Sequence, residues 1–490
     1  MIRLLARSRS FIDVEGIADR LSSHDCLDEA HIGEFEAAFS ACLGGPRCIA
    51  TNQGRAALLI GLRSLSISPG DEVIVPGFTY EGVVDAVLEA GASPVLVDPS
   101  LEDFNAHAAA IEAKMTERTK AIIATHLFGI PTDIGEIAAI AADRGCYLIE
   151  DCAQCLGATY GGRTVGTFGD LAFFSFNYEK HITTGEGGML AVNNPELIEQ
   201  VFEVAGACER MPIPAEKNYV YGLLVQYLAT ERDLYQTSLI AYFGQNCCKK
   251  DPGLVSVIDD LIRSRASEST MRETLLPHLR REAARSGMPP FYLRNPILLG
   301  VLFRVNRAKT RVIRPTFKRI GSKPLLMNSL RALVGSVGLE HLDAENAIRN
   351  RNAAYFYSAL RDEGCFILPE IDPRKKPAFL KYNAINNTEY PLSQIASRCN
   401  EEGFEIGNVQ WPKPIHQIPR FRDLFQTVED ELRTSEYLAE RILNIPIHAD
   451  VTPDDIEGIV SVLRQFIAGV GRGAGRRQNL QESGDLCGAV

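Results

Sequence analysis

The chain has no basic excess. Its 51 lysines and arginines are outnumbered by 62 aspartates and glutamates, for a net charge of -11, and a surface of that sign does not neutralise the phosphates of a nucleic acid. General nucleic-acid binding is therefore excluded on charge. Long apolar runs are also absent: Pro296-Ile297-Leu298-Leu299-Gly300-Val301-Leu302-Phe303 is far short of the roughly 20 residues that cross a bilayer as a helix. The first ten residues carry Arg3, Arg7 and Arg9 and no acid, but their apolar stretch is too short for a secretory signal, so a cytoplasmic protein is expected. There is no disulfide framework. Twelve cysteines are scattered along the chain, several inside strand-like runs, as buried reduced thiols are. Cys152 and Cys155 form a C-x-x-C without a second pair nearby, so no metal site is expected.

What is present is enough apolar material, 46% of 490 residues, for a large core in about two to four domains. From about residue 31 to 205 helix-like and strand-like pieces alternate. Residues 34–43, 55–64, 81–89 and 134–142 read as helices, and 47–51, 72–75, 94–97, 121–125 and 146–149 as strands. Such alternation builds a mostly parallel sheet with helices on both faces, whose ligands bind at the carboxyl ends of the strands.

The candidate chemistry lies at those strand ends. Lys180 follows the apolar run Phe173-Phe174-Ser175-Phe176 and precedes the glycine-rich turn Gly185-Glu186-Gly187-Gly188. An ammonium at the end of a buried strand is costly, and a Schiff base with an aldehyde cofactor would justify it. Asp151 ends the strand-like run Cys146-Tyr147-Leu148-Ile149-Glu150-Asp151, where a carboxylate can keep a pyridinium nitrogen protonated and so make the ring an electron sink. Gln154 is placed to hydrogen-bond that ring or its phenolic oxygen. Ser175 could bind a cofactor phosphate, and the helix that starts after Gly54 could add its backbone N–H groups and positive end.

Ala50-Thr51-Asn52-Gln53-Gly54-Arg55-Ala56-Ala57-Leu58, Gly70-Asp71-Glu72-Val73-Ile74-Val75-Pro76-Gly77-Phe78-Thr79-Tyr80, Glu150-Asp151-Cys152-Ala153-Gln154 and the Lys180 run occur in that order. Together they resemble the DegT/DnrJ/EryC1/StrS sugar aminotransferases, which are fold-type I pyridoxal phosphate enzymes, over about residues 30–221 and 323–468. The resemblance implies pyridoxal 5'-phosphate bound by Gly54, Arg55, Ala56, Tyr80, Asp151, Gln154, Ser175 and Lys180, with Tyr80 stacked on the ring. Where this chain has Arg55 the family usually has threonine, so a hydroxyl is exchanged for a charge. Asn218 would reach the cofactor phosphate of a partner subunit in a homodimer, although the Arg-Met expected just after it is missing. His416 and His181 would lie near the substrate, and a structural role for His416 is equally open.

The resemblance also implies an architecture. A large domain at 1–221 and 323–345 carries the cofactor, a helical insertion spans 222–322, a smaller α+β domain spans 346–468, and the tail at 469–490 is disordered. Between Glu282 and Glu340 there is no acid, while eleven basic residues run from Arg285 to Arg331. This stretch is either a solvated face, a patch on an anionic membrane surface or a pocket for a substrate diphosphate. The implied reaction moves an amino group from glutamate or glutamine to a keto-sugar, through Lys180 and Asp151, for surface polysaccharide or secondary-metabolite biosynthesis. A non-catalytic regulatory or scaffold protein and a sugar dehydratase are the alternatives.

Overall fold

The computed structural model describes residues 11–229, 252–285, 324–407, 411–425 and 431–466. Its centre is a seven-stranded sheet of β1 (Arg47–Thr51), β2 (Glu72–Pro76), β3 (Ser93–Val97), β4 (Thr119–Thr125), β5 (Tyr147–Asp151), β6 (Leu171–Ser175) and β7 (Gly188–Val192). The strands lie in the order β1-β7-β6-β5-β4-β2-β3. All neighbours from β3 through β6 are parallel, and β7 alone runs antiparallel, against both β6 and β1. Near-continuous apolar strands such as Glu72-Val73-Ile74-Val75-Pro76 follow from burial on both faces.

Each face has its own core. Phe35, Phe39, Phe174 and Phe176 pack edge to face on one side, while Leu58, Leu62, Val84 and Val87 fill the other. Each fully buried side chain of this size contributes about 1.5–3 kcal/mol. The helix Gly54–Ser64 is buried almost all round, and Gly61 lets it approach Leu171, whose Cδ1 would lie 3.1 Å from any added Cβ.

β5 and β6 both end at the same rim of the sheet as β1 and β2, and β7 starts there because it runs the other way. The loops after β1, β2, β5 and β6 therefore converge with the turn that precedes β7, which is where an open α/β sheet binds ligands.

Beyond the sheet, the described parts of the insertion are helical, as expected. The helices Pro252–Arg263 and Glu268–Arg285 share a core with Val14–Ser22, Ile213–Ala229 and Ser329–Glu340 through Ile17, Leu224, Ile258, Leu275 and Val334. Helix Ile213–Ala229 runs unbroken through residue 222, and Leu342–Leu360 through residue 346, so neither expected domain edge coincides with the end of an element. A three-stranded antiparallel sheet of Phe366–Ile367, Tyr382–Asn386 and Ile442–Ile445, covered by helices Leu342–Leu360, Leu392–Glu401 and Pro453–Gln465, forms the smaller α+β core.

The basic stretch meets a correction. Residues 286–323 and the 469–490 tail lie outside the described residues, but Leu326, Met327, Leu330 and Arg331 are buried. That end of the stretch is core and offers no membrane surface. No helix among the described residues is long and apolar enough to cross a membrane.

Candidate active site

Asp151 forms the floor of the site at the end of β5. It is buried, with Oδ1 accepting from the Ala153 N–H at 3.1 Å and Oδ2 facing the Thr125 hydroxyl at 3.4 Å. Burial pushes its carboxyl up, and these donors with the charges of Lys180 and His126 oppose that shift. His126 is fixed from both sides: Nδ1 accepts from the Thr132 N–H at 3.1 Å, so Nε2 carries the proton and points at Glu150 Oε2, 3.2 Å away. Glu150 also accepts from the backbone N–H groups of Gly166, Phe168 and Gly169. Gln154 uses its side-chain oxygen to accept from the Phe128 N–H at 3.1 Å, which leaves its amide N–H groups as the donors for a ligand.

Lys180 stands opposite Asp151, close enough that each group shifts the titration of the other. Its amine is held below the usual lysine range by burial, with Asp151, Glu179, Cys155 and Glu186 pulling it back up. A lowered amine is neutral, and so available to attack an aldehyde or take a proton, in a larger fraction of molecules.

Glu186 and Arg331 belong to this site and were not expected there. The Glu186 carboxylate accepts from Asn177 Nδ2 at 2.8 Å, is raised by burial and feels Arg331, Arg55 and Lys180. Arg331 Nη1 holds the carbonyls of Glu186 (2.8 Å) and Asn52 (3.1 Å), tying the turn before β7 to the loop after β1. Its Nε pairs with Glu216 Oε1 at 2.8 Å, both side chains being 0% exposed, and its guanidinium stacks on Tyr219 at 5.3 Å. Asn218 precedes Tyr219 in the helix Ile213–Ala229 and is half-buried.

The opposite wall is the start of the helix Gly54–Ser64, which has no side-chain cap. A Cβ on Gly54 would lie 3.0 Å from the Ser175 Cβ, and one on Gly188 would lie 2.5 Å from the Gly54 nitrogen, so these glycines let the helix N-terminus, Ser175 and β7 meet. The Ala56 N–H is engaged by the Gln53 carbonyl. Tyr80 begins the helix Glu81–Ala90, is 52% exposed, and folds over Gly82, where a Cβ would meet its ring.

The two histidines are both buried. His181 is buried with Nε2 2.9 Å from the Ala378 carbonyl, and burial, with Arg349, pushes it down to about 3; it is neutral at any working pH. His416 is buried beside the loop after β2, where the Ile415 N–H reaches the Gly77 carbonyl; its Nε2 meets Glu436 at 3.0 Å, and its buried Nδ1 has no partner among the described residues. Cys152, Cys155 and His126 cluster behind Asp151. Burial raises both thiols, and both His126 nitrogens are already engaged, so the cluster is satisfied as it stands.

These side chains fit pyridoxal 5'-phosphate. A buried carboxylate raised by desolvation gains from a pyridinium N–H, an uncapped helix N-terminus beside a serine gains from a phosphate, and a depressed lysine amine suits an aldehyde. The mostly parallel sheet with its strand-end site has the fold-type I architecture. The sequence model of the DegT/DnrJ/EryC1/StrS aminotransferase family matches residues 13–221 and 304–464, and the chain belongs to that family.

GDP-perosamine synthase of Caulobacter vibrioides is 44% identical over 180 residues, 35% of this chain and 48% of that protein. UDP-N-acetyl-3-dehydro-alpha-D-glucosamine 3-aminotransferase of Acidithiobacillus ferrooxidans is 45% identical over 164 residues, 33% and 44% respectively. The chain thus spans about half the length of the curated relatives it matches. Among solved structures, an aminotransferase of Psychrobacter cryohalolentis superposes with a TM-score of 0.67 at 22% identity, covering 95% of this chain and 99% of that one. That likeness extends the shared fold across both cores.

Proposed function

We propose that the chain is a pyridoxal phosphate-dependent aminotransferase that converts a keto-sugar, carried on a nucleotide, into an amino sugar with glutamate or glutamine as donor. The observation that carries this reading is the placement of Lys180 and the buried Asp151 carboxylate at one rim of the sheet, after β6 and at the end of β5, within electrostatic range of each other. The sugar-nucleotide part rests on the names of the relatives and on no residue of this chain.

Lys180, Asp151, Gln154, Ser175, Tyr80 and the Gly54–Ser64 helix start would hold the cofactor. Bound there, pyridoxal phosphate supplies a ring that accepts the electrons released at a substrate carbon. The neutral Lys180 Nζ takes a proton from the α-carbon of the amino donor and, in the second half of the cycle, returns one to the aminated sugar carbon. Asp151 would pair with positive charge at the ring nitrogen, while Tyr80 would cover the open face against water. A homodimer in which Asn218 approaches the partner's phosphate, and His416 at the substrate, complete the reading.

Mixing loaded protein with glutamate and each of a panel of nucleotide keto-sugars, then weighing the products, tests it. A mass change from ketone to amine with at least one sugar is expected. Formation of 2-oxoglutarate from glutamate with no aminated sugar would remove the sugar substrate. A loaded protein inert to every amino donor would remove the catalysis and favour a regulatory or scaffold protein on the same fold.

A further inference from the structure

Lys381 is buried to 1% exposure just before the strand Tyr382–Asn386 of the smaller core, and its Nζ donates to Glu179 Oε2 at 2.7 Å. Glu179 is the residue before Lys180. A buried ammonium is stable only when paired, so this contact fixes the smaller core to the loop that carries the reactive amine. Lys381 does not act alone. The Ala378 and Leu380 N–H groups donate to the carbonyls of Gly129 and Phe128 at 3.0 and 3.1 Å, and the Phe128 N–H in turn holds Gln154. The Ala378 carbonyl meets His181 Nε2 at 2.9 Å. The four residues 378–381 are therefore bonded to the neighbours of Lys180 on both sides and to the turn that orients Gln154. Phe128 and Gly129 sit at φ of +58° and +91° where they meet this segment, and a phenylalanine holds such a backbone only where its surroundings enforce it.

We propose that Lys381 and Glu179 are a positioning pair for Lys180: the buried ammonium pins the residue before Lys180 to the smaller core and offsets its charge, so that the reactive amine is held toward Asp151. The inference rests on the aminotransferase reading above for the use of that amine. Lys180 feels Asp151 at the end of β5, Cys155 after it, Glu179 beside it and Glu186 from the turn before β7. Arg331 and Arg55 act on Glu186, burial keeps Cys155 a neutral thiol, and the adjacent His181 is neutral as well. Lys381 offsets Glu179. Without Lys381, the half-exposed Glu179 stays ionised beside the amine and raises it; without the Glu179 charge, the amine falls.

Lys180 is the one lysine between Lys120 and Lys217, so its acetylation is read on an unambiguous peptide. The full chain without added cofactor is labelled with a trace of acetic anhydride across alkaline pH, and the Lys180 peptide is quantified by mass to give the midpoint of the amine. Lys381→Met should raise that midpoint by about half a pH unit or more and Glu179→Gln should lower it by a similar amount, the double variant should fall between them, and Lys381→Arg should match wild type. A purely structural pair would move both single variants the same way or neither, and either result would overturn the inference. If circular dichroism shows Lys381→Met unfolded, Glu179→Gln carries the test from a half-exposed position, and a midpoint that does not fall overturns it. Borohydride trapping of pyridoxal phosphate on wild type separates the two claims. No label on Lys180 would overturn the aminotransferase reading and the role of the pair with it, whereas label on Lys180 with unmoved midpoints would overturn the pair alone.

Discussion

Removing one partner of the Glu216–Arg331 pair should be among the most damaging single substitutions in the large domain. Both side chains are fully buried. Glu216 accepts from Arg331 Nε, the Arg331 N–H and the Asn328 N–H at 2.8, 3.2 and 2.8 Å, while Arg331 also holds the Asn52 and Glu186 carbonyls. Replacing Arg331 by methionine leaves a carboxylate without its cation in an apolar setting and two carbonyls without a donor. Breaking a buried pair from one side costs about 3–5 kcal/mol, which is a factor of roughly 150 to 5,000 in the folding equilibrium. Replacing both partners by apolar residues removes the stranded charge, so Arg331→Met with Glu216→Leu should recover most of the loss. Urea unfolding followed by circular dichroism measures all three variants. If Arg331→Met alone stayed within about 1 kcal/mol of wild type, or if the double variant were as unstable as the sum of the singles, the pair would not be the closed, desolvated unit described above.

Other outcomes follow from the same geometry. Lys180→Ala should lose the visible absorbance of cofactor-loaded protein and all turnover, as judged by spectrum and by product mass; a coloured, active variant would contradict the role of this amine. Because the Lys180 amine lies below the usual lysine range, the rate of cofactor capture should rise with pH with a midpoint below the usual lysine value of about 10.4; a midpoint at or above that value would refute the depression. Gly129→Ala should cost several kcal/mol in thermal or urea unfolding, since φ is +91° and a Cβ would sit 1.8 Å from the Ala378 carbonyl. His181→Asn should leave the pH profile of turnover unchanged, because a histidine depressed to about 3 does not titrate in the working range.

The parallel sheet and the strand-end position of Lys180, Asp151 and Ser175 were legible because period, glycine punctuation and strand ends are local signals. Arg331 was not, because a basic residue between two apolar ones reads as part of a solvated stretch until its carboxylate partner is known, and Glu216 lies 115 residues away. The clue available was local: Leu330-Arg331-Ala332-Leu333 puts an arginine among apolar neighbours in a helix that needs a buried face. Glu186 was in plain view in its glycine-rich turn, yet a carboxylate in a turn carries no sign of the lysine it faces until the antiparallel return of β7 brings it to the rim. His181 makes a contact that no local signal announces: it follows Lys180 in the bend after β6, and its ring ends at the Ala378 carbonyl.

The most direct test of the covalent claim is to load the protein with pyridoxal phosphate, reduce it with borohydride, digest it and map the modified peptide by mass. A single phosphopyridoxyl group on Lys180, with uptake greatly weakened in Asp151→Asn, is the expected result; label on another lysine, or none at all, would contradict it.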